Sequence, residues 1–302
     1  METSFFTKNK YKNIWLDLEL RKDIDDFLTL IFALENKLNI SEISIHNPSV
    51  FELSLLQSTL NDFNVDIPII VSGNYSTYDR SEDIHHSLIN RIPKVENSSS
   101  INFSFKCYEL NSYLKTASFE NKIVFCGGSL FTLSEILKSN TDSVIDAYIQ
   151  GGYASASIVG SENVLKKFRK REKVPTWNLN LDLVASDYVM NCNNVNCHFI
   201  SKNVCHDSFV GLDDLNNYDC VFNNVFREYL KDSKYKNKCL HDLLAFFSIF
   251  NDDIVKFTNV DLFRTEDNIP KWFSIKNPNS NKKISICFDK DLFLKVIKNF
   301  IF

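Results

Sequence analysis

Short runs rich in Ile, Val and Phe recur along this chain with segments of helical period between them, and this alternation limits what it can fold into more than any other feature. Strand runs separated by helices are joined by crossovers, and crossovers place the strands parallel in one sheet with helices on its faces. The strand runs are Asn13–Leu18, Ile43–Asn47, Ile67–Val71, Lys122–Cys126, Ile145–Ile149 and Cys197–Ser201. Helical period marks Ile24–Leu34, Phe51–Phe63, Leu130–Lys138, Leu183–Met190, Val221–Lys231 and Cys239–Phe250. Near the end, Ile254–Phe263 and Lys283–Phe288 read as an antiparallel hairpin before a closing helix at Lys290–Phe300. The expected fold is α/β, a Rossmann-like open and mostly parallel sheet with helices on both faces. At 302 residues and 44% hydrophobic, the chain is expected to form a single domain over residues 1–302, with its core at about 13–300.

A net charge of -4, with charges interspersed rather than in blocks, excludes a basic nucleic-acid surface and a polybasic membrane patch. The first residues lack the apolar stretch of a signal sequence and no later stretch is apolar enough to span a bilayer, so a cytoplasmic protein is expected. Eight cysteines in this length do not make a disulfide scaffold. Cys192 and Cys197 are four residues apart in the intervening count, with no second pair, and read as small hydrophobes rather than a zinc site. The charged stretch 160–175 reads as a solvated helix or a lid.

Five acids, Asp17, Glu19, Asp23, Asp25 and Asp26, fall within ten residues at the end of the first strand. Ligands of open α/β sheets bind beyond the carboxyl ends of strands, so these acids lie where such a fold places its chemistry. Helix capping accounts for Asp23 and Asp25, but five converging negative charges call for a cation. Carboxylate and carbonyl oxygens suit a hard ion, calcium or, less well, magnesium.

This segment resembles the inosine–uridine-preferring nucleoside hydrolase family, whose first strand ends in Asp-x-Asp-Pro-Gly-x-Asp-Asp. Asp17, Asp25 and Asp26 match the first and the last two aspartates; Glu19 stands for the middle one, and Leu20 to Asp23 replace Pro-Gly with a longer loop. Further similarities follow in order. His86 stands in an Ile-His-His segment, Cys126 precedes the paired glycines Gly127 and Gly128, and Gly151 and Gly152 form a second pair. Asn178 and Asp182 lie in a segment where Thr176 replaces the usual glutamate, and His241-Asp242 opens an apolar helix.

The resemblance implies hydrolysis of the N-glycosidic bond of ribonucleosides, releasing base and ribose. It implies calcium held by Asp26, Asp242, the Cys126 carbonyl and Glu19, and ribose hydroxyls held by Asp25, Asn178 and His86. Glu19 would be the general base, with Asp17 or Asp23 able to take that role. His241, titrating near neutrality, would assist the departing base. A homo-oligomer acting on a small nucleoside or another ribose-containing ligand follows from the same likeness. The changes at Glu19 and Thr176 keep open a homologue that binds metal and ribose without turnover, and a third reading makes Asp17 a phosphatase-like nucleophile. His206 is read as a loop histidine; Trp177 and Tyr153 are read as core aromatics.

Overall fold

The computed structural model describes residues 9, 12–20, 23–73, 88, 107–140, 142–232 and 236–299. Its main sheet has ten strands: β1 Asn13–Leu18, β2 Ile40–His46, β3 Ile69–Ser72, β4 Cys107–Glu109, β5 Lys122–Cys126, β6 Ile145–Gln150, β7 Val195–Ile200, β10 Val255–Arg264, β11 Trp272–Lys276 and β12 Lys282–Phe288. The spatial order is β11-β10-β12-β7-β6-β5-β1-β2-β3-β4. Every pairing from β12 to β4 is parallel, and β10 is antiparallel to both of its neighbours. Two further strands, β8 Phe209–Gly211 and β9 Asn237–Cys239, form a separate antiparallel pair.

The helices are α1 Asp25–Glu35, α2 Val50–Asp62, α3 Leu110–Leu114, α4 Phe131–Ser139, α5 Ala156–Val159, α6 Trp177–Leu181, α7 Leu183–Asn191, α8 Lys202–Cys205, α9 Val221–Asp232, α10 His241–Phe247 and α11 Lys290–Asn299. Strand alternation divides them into two layers. Ile14, Leu16 and Leu18 of β1 point into a core shared with α1, α2, α9 and α10, whereas Trp15 joins a second core with α4 and α7. Local signals set the helix starts: Ser49 and Glu52 form a reciprocal capping box for α2, and the Asp182 carboxylate accepts the Ala185 N–H at the start of α7. Asp182 is therefore a cap in this fold.

β1 and β5 match their sequence expectations residue for residue, and the other early elements agree to within three residues at each end. The two late strands pair antiparallel as expected, β10 with β12, but β11 intervenes between them in the chain, and β12 also pairs in parallel with β7, so they extend the main sheet. The helix expected from Cys239 begins at His241, because Cys239 pairs with Phe209. The charged stretch 160–175 forms two short 3-10 turns, Ser161–Asn163 and Lys166–Phe168.

β1 is the pivot of the topology. From it the chain moves outward through β2, β3 and β4, then returns to place β5 on the other side of β1. The loops leaving β1 and β5 therefore diverge and open a crevice at the carboxyl edge. No helix among the described residues is long and apolar enough to cross a membrane.

Candidate active site

A cleft of about 510 Å³ occupies that crevice, with walls supplied by the ends of successive strands. Glu19, Asp23, Asp25 and Asp26 come from the β1–α1 connection, Gly127 follows β5, and Gln150 and Gly151 close β6. Lys202 and His206 come from α8 and its end after β7, Thr176, Trp177 and Asn178 from the start of α6, and His241 and Asp242 from the first turn of α10. A larger groove of about 770 Å³ lies near the amino ends of β7 and β12, where Arg264 and Asp187 are paired at 2.6 Å. The crevice is favoured because buried carboxylate oxygens without a hydrogen-bond partner among the described residues lie there.

Asp25, Asp26 and Asp242 are all buried. The Asp242 N–H donates to Asp25 Oδ2 at 3.0 Å, tying α10 to α1 across 217 residues of chain. One oxygen of each carboxylate, Asp25 Oδ1, Asp26 Oδ1 and Asp242 Oδ1, has no hydrogen-bond partner among the described residues. Burial pushes Asp25 up to about 7, against the pull of Lys238. Burial, then Glu19 and Asp25, raises Asp26 well above the carboxylate range; burial, then Asp26 and Asp25, does the same to Asp242. Three buried acids with orphaned oxygens and mutual repulsion offer oxygen donors of the kind that a hard divalent cation takes.

The neighbouring backbone is shaped to that carboxylate group. A Cβ on Gly127 would lie 2.2 Å from Asp26 Oδ1, so only glycine lets the β5 turn approach it. Cys126 ends β5 with its thiol in the second core, so at this edge it can offer only main-chain atoms. Glu19 lines the cleft despite the lengthened loop, and its N–H hydrogen-bonds Asp26.

Asp17 is placed differently. Its side chain lies on the Trp15 face of β1, Oδ1 accepts from Ser44 at 2.5 Å, and it is not in the cleft wall. Burial pushes it up to about 7. Like the other three aspartates, it keeps one oxygen, Oδ2, without a hydrogen-bond partner among the described residues.

Asn178 Nδ2 donates to the Gly127 carbonyl at 2.6 Å and to Gln150 O and Oε1 at 3.1 and 2.7 Å, pinning the β5 and β6 turns together. His241 lines the cleft, with Nδ1 3.3 Å from Cys205 Sγ and its ring 4.8 Å from that of His206. Burial, reinforced by Lys238 and His206, holds its pKa well below the usual histidine range. The expectation that it titrates near neutrality is corrected: the imidazole is neutral at neutral pH, a hydrogen-bond donor rather than a charged acid.

His206 belongs to the cleft and is not an ordinary loop residue. Tyr153 is fully buried as expected, but Trp177 is 70% exposed at the cleft. The His86 assignment lies outside the described residues. Gln150 and Lys202 escaped sequence reading: a glutamine before glycines and a lysine after a strand carry no local signal, and only the strand order brings them here. Cys205, His206 and His241 also form a group of possible soft-metal ligands, separate in type from the oxygen donors.

Fold and cleft together define a class: an α/β domain with the nucleoside-hydrolase architecture and a carboxylate group at its topological switch. The architecture is matched over 96% of this chain and 98% of the other by a plant nucleoside hydrolase, PpNRh1, with a TM-score of 0.70 at 14% identity. It is matched over the same shares by the inosine–uridine-preferring nucleoside hydrolase of Bacillus anthracis, with a TM-score of 0.63 at 12% identity. The type III effector XopQ, solved with adenosine diphosphate ribose, matches over 98% of this chain and 96% of its own, with a TM-score of 0.58 at 9% identity. No protein-family model matches the sequence, and no curated protein matches it significantly. At these identities the likeness is one of fold.

Proposed function

We propose that this protein is a divergent nucleoside hydrolase, a calcium-dependent N-ribohydrolase that cleaves ribonucleosides to free base and ribose. The observation that carries this reading is the convergence of Asp25, Asp26 and Asp242 with orphaned buried oxygens, at the switch point, in a cleft that also holds Glu19, Asn178 and His241.

Asp26, Asp242, Glu19 and the Cys126 carbonyl are the candidate calcium ligands. Bound calcium would supply a Lewis acid that acidifies water and grips ribose hydroxyls. Asp25 and Asn178 hold and orient the ribose. Glu19 accepts the proton of the attacking water. As the glycosidic bond breaks, positive charge develops at C1′ and the carboxylates stabilise it. Neutral His241 donates a hydrogen bond to the leaving base, its ring held between Cys205 and His206. The exposed face of Trp177 offers the base a stacking surface. The presence of Glu19 in the cleft wall favours turnover over the binding-only homologue.

The test is free-base and ribose release from a panel of purine and pyrimidine ribonucleosides, with calcium and with chelator. Release in calcium that is lost in chelator, and that falls by about a hundredfold or more in Glu19→Gln, is expected. Nucleoside binding with no release from any substrate would establish the non-catalytic homologue instead.

A further inference from the structure

The carboxylates gather where β1 ends; the cleft wall at the end of β7, three strands away, has the opposite character. Lys202 there donates one of its three ammonium hydrogens, to the Pro175 carbonyl at 2.9 Å. Lys167 and Arg171 repel it, and no carboxylate among the described residues pairs with it. Lys167 reaches the same wall from the 3-10 turn Lys166–Phe168, with Nζ 2.7 Å from His206 Nδ1. That turn is fixed in place, since Leu165 N–H donates to Asn203 Oδ1 at 2.9 Å and Tyr153 Oη donates to the Arg171 carbonyl at 2.6 Å.

An independent observation lies beside Lys202. Thr176, one residue after the carbonyl that Lys202 touches, is 1% exposed, lines the cleft, and leaves its Oγ1 with no hydrogen-bond partner among the described residues. A buried hydroxyl without a partner costs free energy that a ligand oxygen would recover. A hydroxyl and an ammonium donor in one wall of the cleft, with Lys167 adding positive charge beside His206, suit a tetrahedral oxyanion.

We propose that this wall is a phosphate subsite, so that the cleft takes a ribose carrying a phosphate ester, with Thr176 and Lys202 as direct donors and Lys167 adding charge from behind His206. This rests on the ribose-binding reading above and narrows it to nucleotides. The acidic end holds the sugar and the basic end its phosphate. The charged stretch 160–175, which the nucleoside reading leaves without a task, supplies part of the basic end.

Calorimetric titration tests it with ribose and ribose 5-phosphate in calcium, and with inorganic pyrophosphate in chelator. Ribose 5-phosphate is expected to bind about tenfold or more tightly than ribose at low salt. Added potassium chloride should narrow that gap, and Lys202→Gln and the near-isosteric Thr176→Val should each remove most of it. Pyrophosphate, which has no ribose, should bind the wild type and not Lys202→Gln. Adenosine monophosphate and adenosine diphosphate ribose serve as further arms; preference for either over adenosine supports the subsite and tells one phosphate from two. Equal affinity for ribose and its phosphate, or a gap that survives both substitutions, overturns it. The two proposals fail separately: nucleoside cleavage without pyrophosphate binding refutes only the subsite, and pyrophosphate binding lost in Lys202→Gln upholds the subsite even where no base is released.

Discussion

Asp25→Asn should make the calcium-free protein more stable at high pH, and the size of the effect follows from the burial of that side chain. Asp25 is pushed from an ordinary carboxylate value of 3.8 up to about 7, so the folded state holds its proton where the unfolded chain has released it. A carboxyl raised in this way contributes stability that is full below about pH 4 and lost as the pH rises through 7. Between pH 5 and 8.5 the wild type should therefore lose ~3 kcal/mol relative to the variant, from roughly two pH units at ~1.4 kcal/mol each. Asparagine keeps an oxygen for the Asp242 N–H, so the comparison isolates the charge. Histidine contributions cancel because both proteins carry them. Differential scanning in chelator should show the variant's melting temperature rising against the wild type by about 6 °C or more over that range. Saturating calcium should narrow the gap, because the ion binds the ionised folded state. A difference that does not change with pH in chelator, or a wild type that gains on the variant at pH 8.5, would refute the buried-acid argument.

Three other outcomes follow from the same geometry. Asp26→Ala and Asp242→Ala should each abolish calcium binding by calorimetry, and retained stoichiometric binding in both would displace the ion from this site. Gly127→Ala should weaken calcium by about tenfold or more while the protein stays folded, because its Cβ would lie 2.2 Å from Asp26 Oδ1 and force that carboxylate aside. At the opposite edge of the sheet, Lys122 is buried and paired with Glu42 at 2.5 Å, and Tyr113 also donates to that carboxylate. Lys122→Met should cost ~3 to 5 kcal/mol by leaving Glu42 unpaired in the core, with calcium affinity unchanged; denaturant melts and calorimetry check the two halves.

Local pattern determined most of the sheet. β1 and β5 are legible because their apolar runs are bounded by polar turns, and α1 and α4 because their apolar residues recur at helical spacing. The acids beyond β1 were legible for the same reason, since a strand end followed by a helix start lies at one edge of any such sheet. The side on which Asp17 stands was set by strand alternation, which puts it on the Trp15 face, rather than by its nearness to Glu19 in the chain. Trp177 was misjudged because aromatic composition favours the core, whereas the α6 turn leaves its ring at the cleft.

The sequence by itself determined an α/β chain with an acidic strand end, because strand and helix periodicity are local properties of a few residues. Whether those acids form a site was decided by tertiary structure. The parallel order β7-β6-β5-β1 brings Gln150, Lys202 and His206 to one edge, and α10 returns Asp242 to within a hydrogen bond of Asp25. Burial, which no sequence spacing encodes, then raises the acids and holds His241 neutral. Charge state in this cleft is set by exclusion of water, and water is excluded only once segments remote in the chain have packed together.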